Sequence, residues 1–236
     1  MRRIVPLVCV LVLAACGTSA AGTGSSSGRT SANGSASGST SATGTASGNT
    51  SSASPAAAVA CGPAGAPTLA SSHRARVYVQ AGTAFGCAAG GRGRFALGYR
   101  GSCLMHSAVA PVTVAGTFAA YGLQRCGVDT GSTLVIVRRL DNGVTVRSAP
   151  ASSPPGPEGY QLVGSLVLRP DGAAAWIASA RSLGRRVSIV EVWRLSRTGA
   201  LTRLDAGGVI VVGSLRLEGA TLHWHHGAAV KSARLS

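Results

Sequence analysis

Carboxylates, imidazoles and thiols are the groups in this chain that could do chemistry, and they are few. Seven acidic residues occur, none of them before Asp129. A glycosidase needs two carboxylates facing each other across the bond they cleave, and no such pair stands out. Asp141, Asp171, Asp205 and Glu218 fall at expected turns, and Glu191 alone lies inside a predicted strand. His223, His225 and His226 surround Trp224. In a strand His223 and His225 share a face and offer two imidazoles to a metal. No nearby carboxylate or cysteine completes the set, so the expectation is a solvent-facing strand and no metal. His73 and His106 stand alone in loops. No Gly-x-Ser-x-Gly elbow occurs, and Lys231, the only lysine, fits neither a phosphate-binding loop nor a Ser-x-x-Lys site. Gly91-Arg92-Gly93-Arg94 offers contacts to phosphate but reads first as a basic hairpin turn. No cofactor is expected.

One acidic motif is sharper. Val128-Asp129-Thr130-Gly131-Ser132, followed by Leu134-Val135-Ile136, resembles the Asp-Thr-Gly-Ser element of aspartic proteases. In that family a carboxylate shares a proton with a second one and activates water. A chain of this size carries one such Asp, so the resemblance implies a dimer, with Val209-Ile-Val-Val-Gly213 as the strand that braces the Asp loop. The pattern departs from the family just before the Asp. An apolar strand belongs there, and Gln124-Arg125-Cys126-Gly127 stands in its place. The motif therefore reads as an Asp-Thr-Gly turn whose Asp bonds its own backbone. A secreted hydrolase using Asp129 is kept as the alternative function.

The thiols say more about place than about reaction. Met1-Arg2-Arg3 precedes an apolar run, Ile4–Leu13, that is too short for a spanning helix of ~20 residues. The run ends in Leu13-Ala14-Ala15-Cys16, which resembles the lipobox of bacterial lipoprotein signals. The resemblance implies cleavage of residues 1–15 and a diacylglycerol on the Cys16 thiol. Two acyl chains hold a membrane stably where one does not. Cys9 leaves with the signal. Cys61, Cys87, Cys103 and Cys126 remain, an even number in an exported chain, with spacings that suit disulfides better than zinc. Three pairings are open, and local loops favour Cys61–Cys87 with Cys103–Cys126.

These groups sit on two kinds of chain. Residues 16–60 are almost wholly Ser, Gly, Thr and Ala, which bury no core and read as a disordered linker. Its root-mean-square span is on the order of 35–40 Å. Residues 61–236 break into short apolar runs divided by Gly turns, with no capped helical period. Arg76–Gln80 and Thr83–Cys87 make a hairpin around Ala81-Gly82. Thr133–Val137 is a strand, Asp141-Asn142-Gly143 turns the chain into Val144–Val146, and Val187–Trp193 is a further strand. The fold class is all-β.

A pattern recurs along this region. Val114-Ala-Gly-Thr-Phe-Ala-Ala-Tyr121 and Leu217-Glu-Gly-Ala-Thr-Leu-His-Trp224 share an apolar residue, Gly at the third place and a ring at the eighth. Leu168–Trp176 repeats it with one residue added at the turn. Each reads as a strand, a tight turn and a returning strand with a core ring: Tyr121, Trp176 and Trp224. The unit has four antiparallel strands in about 45–50 residues, the size of a propeller blade. Thr68–Leu97 resembles the second half of such a blade, and Val211–Leu235 looks short of strands. The whole resembles a small or partial β-propeller of the sort found in exported proteins of high-GC bacteria.

Composition narrows the partners. The net charge is +15, and every basic residue but Lys231 is Arg. No block of five basic residues exists, so specific nucleic acid is not expected, and a dispersed basic surface is the simplest reading. The expectation is a lipid-anchored protein on the extracytoplasmic face of the cell membrane. Its β domain binds or scaffolds without catalysis, and its partner is a cell-envelope protein or an anionic polymer. Contacts are expected from the three longest loops, Tyr99–Ala110, Gln124–Ser132 and Ala151–Gly159.

Overall fold

The computed structural model describes residues 61–103, 107–127, 130–154, 159–182 and 188–236. All of them belong to one compact unit, Ser52–Ser236. The expected signal, Cys16 and its linker lie outside the described residues, as do Val128 and Asp129. Among the described residues there is no helix, and the all-β reading holds.

Among the described residues fifteen strands run as four consecutive antiparallel meanders. The first is β1 (Thr68–Ser71), β2 (Ala75–Gln80), β3 (Thr83–Ala88) and β4 (Arg94–Tyr99). The second is β5 (Ala108–Ala115), β6 (Phe118–Cys126), β7 (Gly131–Arg139) and β8 (Thr145–Pro150). The third is β9 (Gly159–Leu168), β10 (Ala174–Ser182), β11 (Ser188–Leu195) and β12 (Leu201–Gly207). The fourth has three strands, β13 (Arg216–Glu218), β14 (Thr221–His226) and β15 (Ala229–Arg234). Single parallel pairs join neighbouring meanders: Tyr99 with Ala108, and Gly131 with Tyr160. The hydrogen-bonded path runs from β1 to β12, with β8 attached to β7, and does not close on itself.

The reading of Thr68–Leu97 as half a unit is corrected. That stretch holds a full four-stranded meander, because β1 and β2 are joined without a glycine. Ser72 turns the chain instead. Its hydroxyl accepts hydrogen bonds from the Arg74 and Ala75 amides and donates one to the Gly116 carbonyl.

Three clusters of buried apolar side chains form the core, one at each junction between successive meanders. Tyr121 packs with Ala75, Val77 and Ala84 of the first meander. Trp176 packs with Ala120, Val135 and Val137 of the second. Trp224 packs with Ala175, Ile177 and Val192 of the third. All three rings are buried.

The two-residue period of a strand explains the choice of residues. On β10, Ala174, Trp176 and Ala178 face the second meander while Ala175 and Ile177 face the fourth. A strand covered on both faces reads as a continuous apolar run. Small residues on one face let the next ring approach. This accounts for a chain that is 45% apolar yet only 4% aromatic. At one junction even alanine is too large: a methyl on Gly164 of β9 would collide with the Val212 side chain.

The Trp176 indole fills its site and donates Nε1–H to the Ala151 carbonyl, 2.6 Å away. Truncation leaves both a cavity and an orphaned carbonyl. Trp176→Ala is expected to lower the free energy of unfolding by about 3–5 kcal/mol in urea titrations. The solvent-exposed Ile189→Ala change serves as a control and is expected to shift the midpoint little.

Candidate functional site

A broad cleft is built where the ends of the second and third meanders meet. Its volume is about 720 Å³. Arg125, Gly127 and Thr130 line it from the β6–β7 connection, and Ser152, Ser153 and Pro154 from the segment after β8. Leu134, Trp193 and Leu201 supply apolar walls from β7, β11 and β12. Two of the three loops expected to carry contacts thus border one cavity. The third is tied to them, since the sulfurs of Cys103 and Cys126 stand at bonding distance with a Cα–Cα separation of 5.5 Å. Cys61 and Cys87 are joined likewise, with an S–S distance of 2.07 Å.

Beneath the cleft lies a polar network. Four polar or charged residues are buried among the described residues: Thr133, Ser152, Gln161 and Glu191. All four meet here. The Thr133 amide donates to Gln161 Oε1 at 3.2 Å. Gln161 Nε2 donates to the Ser152 and Ser153 carbonyls at 2.9 and 3.1 Å. The Ser153 amide and hydroxyl donate to the Glu191 carboxylate at 2.7 and 2.8 Å. Trp193 Nε1 and Arg203 Nη1 complete that carboxylate at 3.1 and 3.0 Å. Burial alone would raise the Glu191 pKa, but the hydrogen bonds from Ser153, Trp193 and Arg203 outweigh it and hold the group below its ordinary value. Glu191 is therefore an ionised acceptor with its lone pairs committed. It has neither a proton to give nor a free oxygen to take one, so its chemistry is to fix the 151–154 segment against β11.

A second, partly buried carboxylate joins the third meander to the fourth. Asp205 accepts from Trp224 Nε1 at 2.8 Å, contacts His226 Nδ1 at 2.9 Å and accepts from Lys231 Nζ at 3.2 Å. Burial again acts to raise its pKa, and the three side chains with the Ala206 amide lower it to about 2. Sequence reading placed Asp205 at a turn and His226 on a solvent-facing strand. Both are corrected: Asp205 lies inside β12 with its side chain 9% exposed, and His226 is bound to it. The cause is again the strand period, which turns Trp224 and His226 of β14 to one face. On the other face His223 Nε2 stands 3.8 Å from Glu218. No group of three or more His, Cys, Asp or Glu among the described residues is placed to hold a metal.

The remaining candidates are located as follows. Thr130, Gly131 and Ser132 of the Asp-Thr-Gly-Ser element border the cleft, while Asp129 lies outside the described residues. The Val209–Gly213 segment lies along β14 and β9. Ile210 pairs with His226, and the Val212 carbonyl accepts from the Ser165 hydroxyl at 2.7 Å. Gly91–Arg94 forms the β3–β4 turn, as expected. Asp141 and Asp171 pair with Arg139 and Arg169 two residues away, each within its own turn. Sequence reading missed the Gln161–Ser153–Glu191 network. Its one visible trace was Glu191 itself, an acid set in a β-branched strand.

Compared with known proteins, the chain matches no family model, no curated sequence and no solved structure.

The depressed Asp205 pKa fixes the sign of a pH effect. Its folded value, about 2, lies below the ~3.9 of a free Asp, so its stabilisation is complete above pH ~4 and is lost as pH falls through 2. The contribution is on the order of 2 kcal/mol. Asp205→Asn is expected to lower stability by that order at pH 6. Its stability curve, followed by urea unfolding, should converge with that of the wild type near pH 2. Parallel curves would remove Asp205 as the cause.

Proposed function

We propose that the chain is a lipid-anchored protein of the cell surface whose β domain binds a partner without catalysing a reaction. The observation that carries this reading is the cleft between the second and third meanders. It gathers the long loops, and the buried network beneath it holds them in place. Binding loops on a rigid scaffold are the usual arrangement of recognition sites. The only buried carboxylate of that network is saturated and ionised, which suits support and not acid–base work.

Four meanders, with Tyr121, Trp176 and Trp224 each docked on the meander before, favour a partial, propeller-like repeat arrangement. Cys16 within its lipobox favours a diacyl anchor on the extracytoplasmic face. No helix among the described residues is long and apolar enough to cross a membrane.

Among the described residues that line the cleft Arg125 is the one charged side chain, beside apolar walls from Leu134, Trp193 and Leu201. That chemistry fits an anionic group on an apolar body, carried by an envelope protein or polymer. Immobilised full chain is expected to retain such a component from native envelope extract. Arg125→Glu and Leu201→Gln, both at exposed positions, should abolish retention with the unfolding midpoint unchanged. Intact mass of the membrane-extracted protein should show residues 1–15 removed and a diacylglycerol on Cys16. A freely soluble chain with an unmodified Cys16 thiol would overturn the anchor. Cleavage of unfolded protein that disappears in Asp129→Asn would overturn the non-catalytic reading.

A further inference from the structure

A fourth ring departs from the pattern of the other three. Tyr78 sits on β2, the second strand of its meander, as Tyr121, Trp176 and Trp224 do on theirs. It is fully buried, yet no meander precedes it among the described residues. The segment Cys61–Ala66 stands in front of it instead, joined to β3 through Cys61 and Cys87. Gly62 lies directly on the ring, at φ +79°, where a methyl would run into Tyr78. Arg76 stacks 5.3 Å from the ring centroid and donates to the Cys61 and Ala66 carbonyls. Phe85 stacks at 5.9 Å.

This cover fills the apolar need of the ring but not its polar one. Trp176 gives its N–H to Ala151 of the preceding meander, and Trp224 gives its own to Asp205. The Tyr78 hydroxyl is buried with no hydrogen-bond partner among the described residues. A buried donor without an acceptor is rare enough to need a reason. The Tyr78 side chain also borders a cleft of about 370 Å³, lined by Cys61–Pro63 and by Gly90, Gly91, Gly93 and Arg94. It shares no lining residue with the loop cleft. Among the described residues Arg94 lines it and no carboxylate does. Asp141 meets this turn through its backbone carbonyl, which accepts from the Arg92 amide, and its carboxylate pairs with Arg139.

We propose that this cleft binds a single oxyanion, phosphate or carboxylate, through the Tyr78 hydroxyl and the Arg94 guanidinium. The arrangement has an internal counterpart. At the third junction a carboxylate, Asp205, is held by a ring N–H and by Lys231. At the first meander the ring donor and the cation are present, and the ligand brings the anion. Arg94 donates one N–H to Gln80 and stacks 4.7 Å from the Phe85 centroid, which fixes the guanidinium while leaving its other donors for the ligand. Gly90 and Gly93 carry no Cβ and adopt φ of +68° and +141°, so the rim of the cleft is bare backbone.

The test uses the full chain with its disulfides intact and inorganic phosphate as the probe. Sodium chloride of equal ionic strength gives the baseline. The amide NMR signals of Gly90, Gly91 and Gly93 are expected to shift saturably with phosphate. Tyr78→Phe loses no bond in the free chain, so it should be as stable as the wild type or more so, while its phosphate dissociation constant rises about tenfold. Arg94→Gln should weaken binding similarly with the unfolding midpoint kept. Vesicles containing phosphatidylglycerol separate the sources: Tyr78-dependent retention on them assigns a lipid headgroup, and binding of free phosphate alone assigns a soluble anion. Absence of a saturable shift in the wild type would overturn the proposal. So would a Tyr78→Phe chain that binds phosphate unchanged, or one less stable than the wild type without phosphate.

Discussion

A large ring on the second strand of one meander needs a smooth sheet in front of it, and the rest of the molecule follows from that need. Tyr121, Trp176 and Trp224 each project toward the meander before their own and meet alanine, valine and isoleucine there. The hydrophobic gain is non-directional and would tolerate some sliding between sheets. The polar handles of the indoles remove that freedom. Trp176 reaches one carbonyl, Ala151, and Trp224 reaches one carboxylate, Asp205. Burial thus supplies most of the stabilisation, and the hydrogen bonds select the register in which it is realised.

The loop cleft inherits its shape from the same junctions. Ala151, which accepts from Trp176, begins the segment whose Ser152 and Ser153 border the cavity. Glu191 holds that segment from the third meander, so its position is set by two adjacent sheets at once. Electrostatics are economical by comparison. With 22 basic and 7 acidic residues, the chain can afford few carboxylates for surface pairs. Each of the five described ones has a cationic or imidazole partner, and the two most buried both stand between meanders. The excess of arginine is spread over aromatic rings and backbone carbonyls, as with Arg138 on Phe95 and the Ala96 carbonyl.

Local signals were legible in the sequence and long-range ones were not. The strand–Gly–strand–ring pattern marked Tyr121, Trp176 and Trp224 because glycine turns and rings at fixed spacing are local features. Tyr78 escaped because Ser72 replaces the glycine of its turn with a hydroxyl that does the same task by hydrogen bonding. Asp205 was read as one of several acids at expected turns. Its partners Trp224, His226 and Lys231 lie 19 to 26 residues away, and composition alone does not reveal such a pairing. The Glu191 network was hidden for the same reason, since Ser153 stands 38 residues before it. The third long loop and its link to the second through Cys103 and Cys126 were legible in the sequence, but the cleft on which they converge needed the fold.

The claim that ring and acceptor are coupled across a junction is tested most directly by a double-mutant cycle on Trp224 and Asp205. Trp224→Phe keeps a ring and removes the N–H, Asp205→Asn removes the charge, and both are combined in one chain. Unfolding free energies are measured at pH 6. The account predicts a coupling of ~1.5–3 kcal/mol, the range for a hydrogen bond to a charged group. Effects that add to within ~0.5 kcal/mol would contradict it.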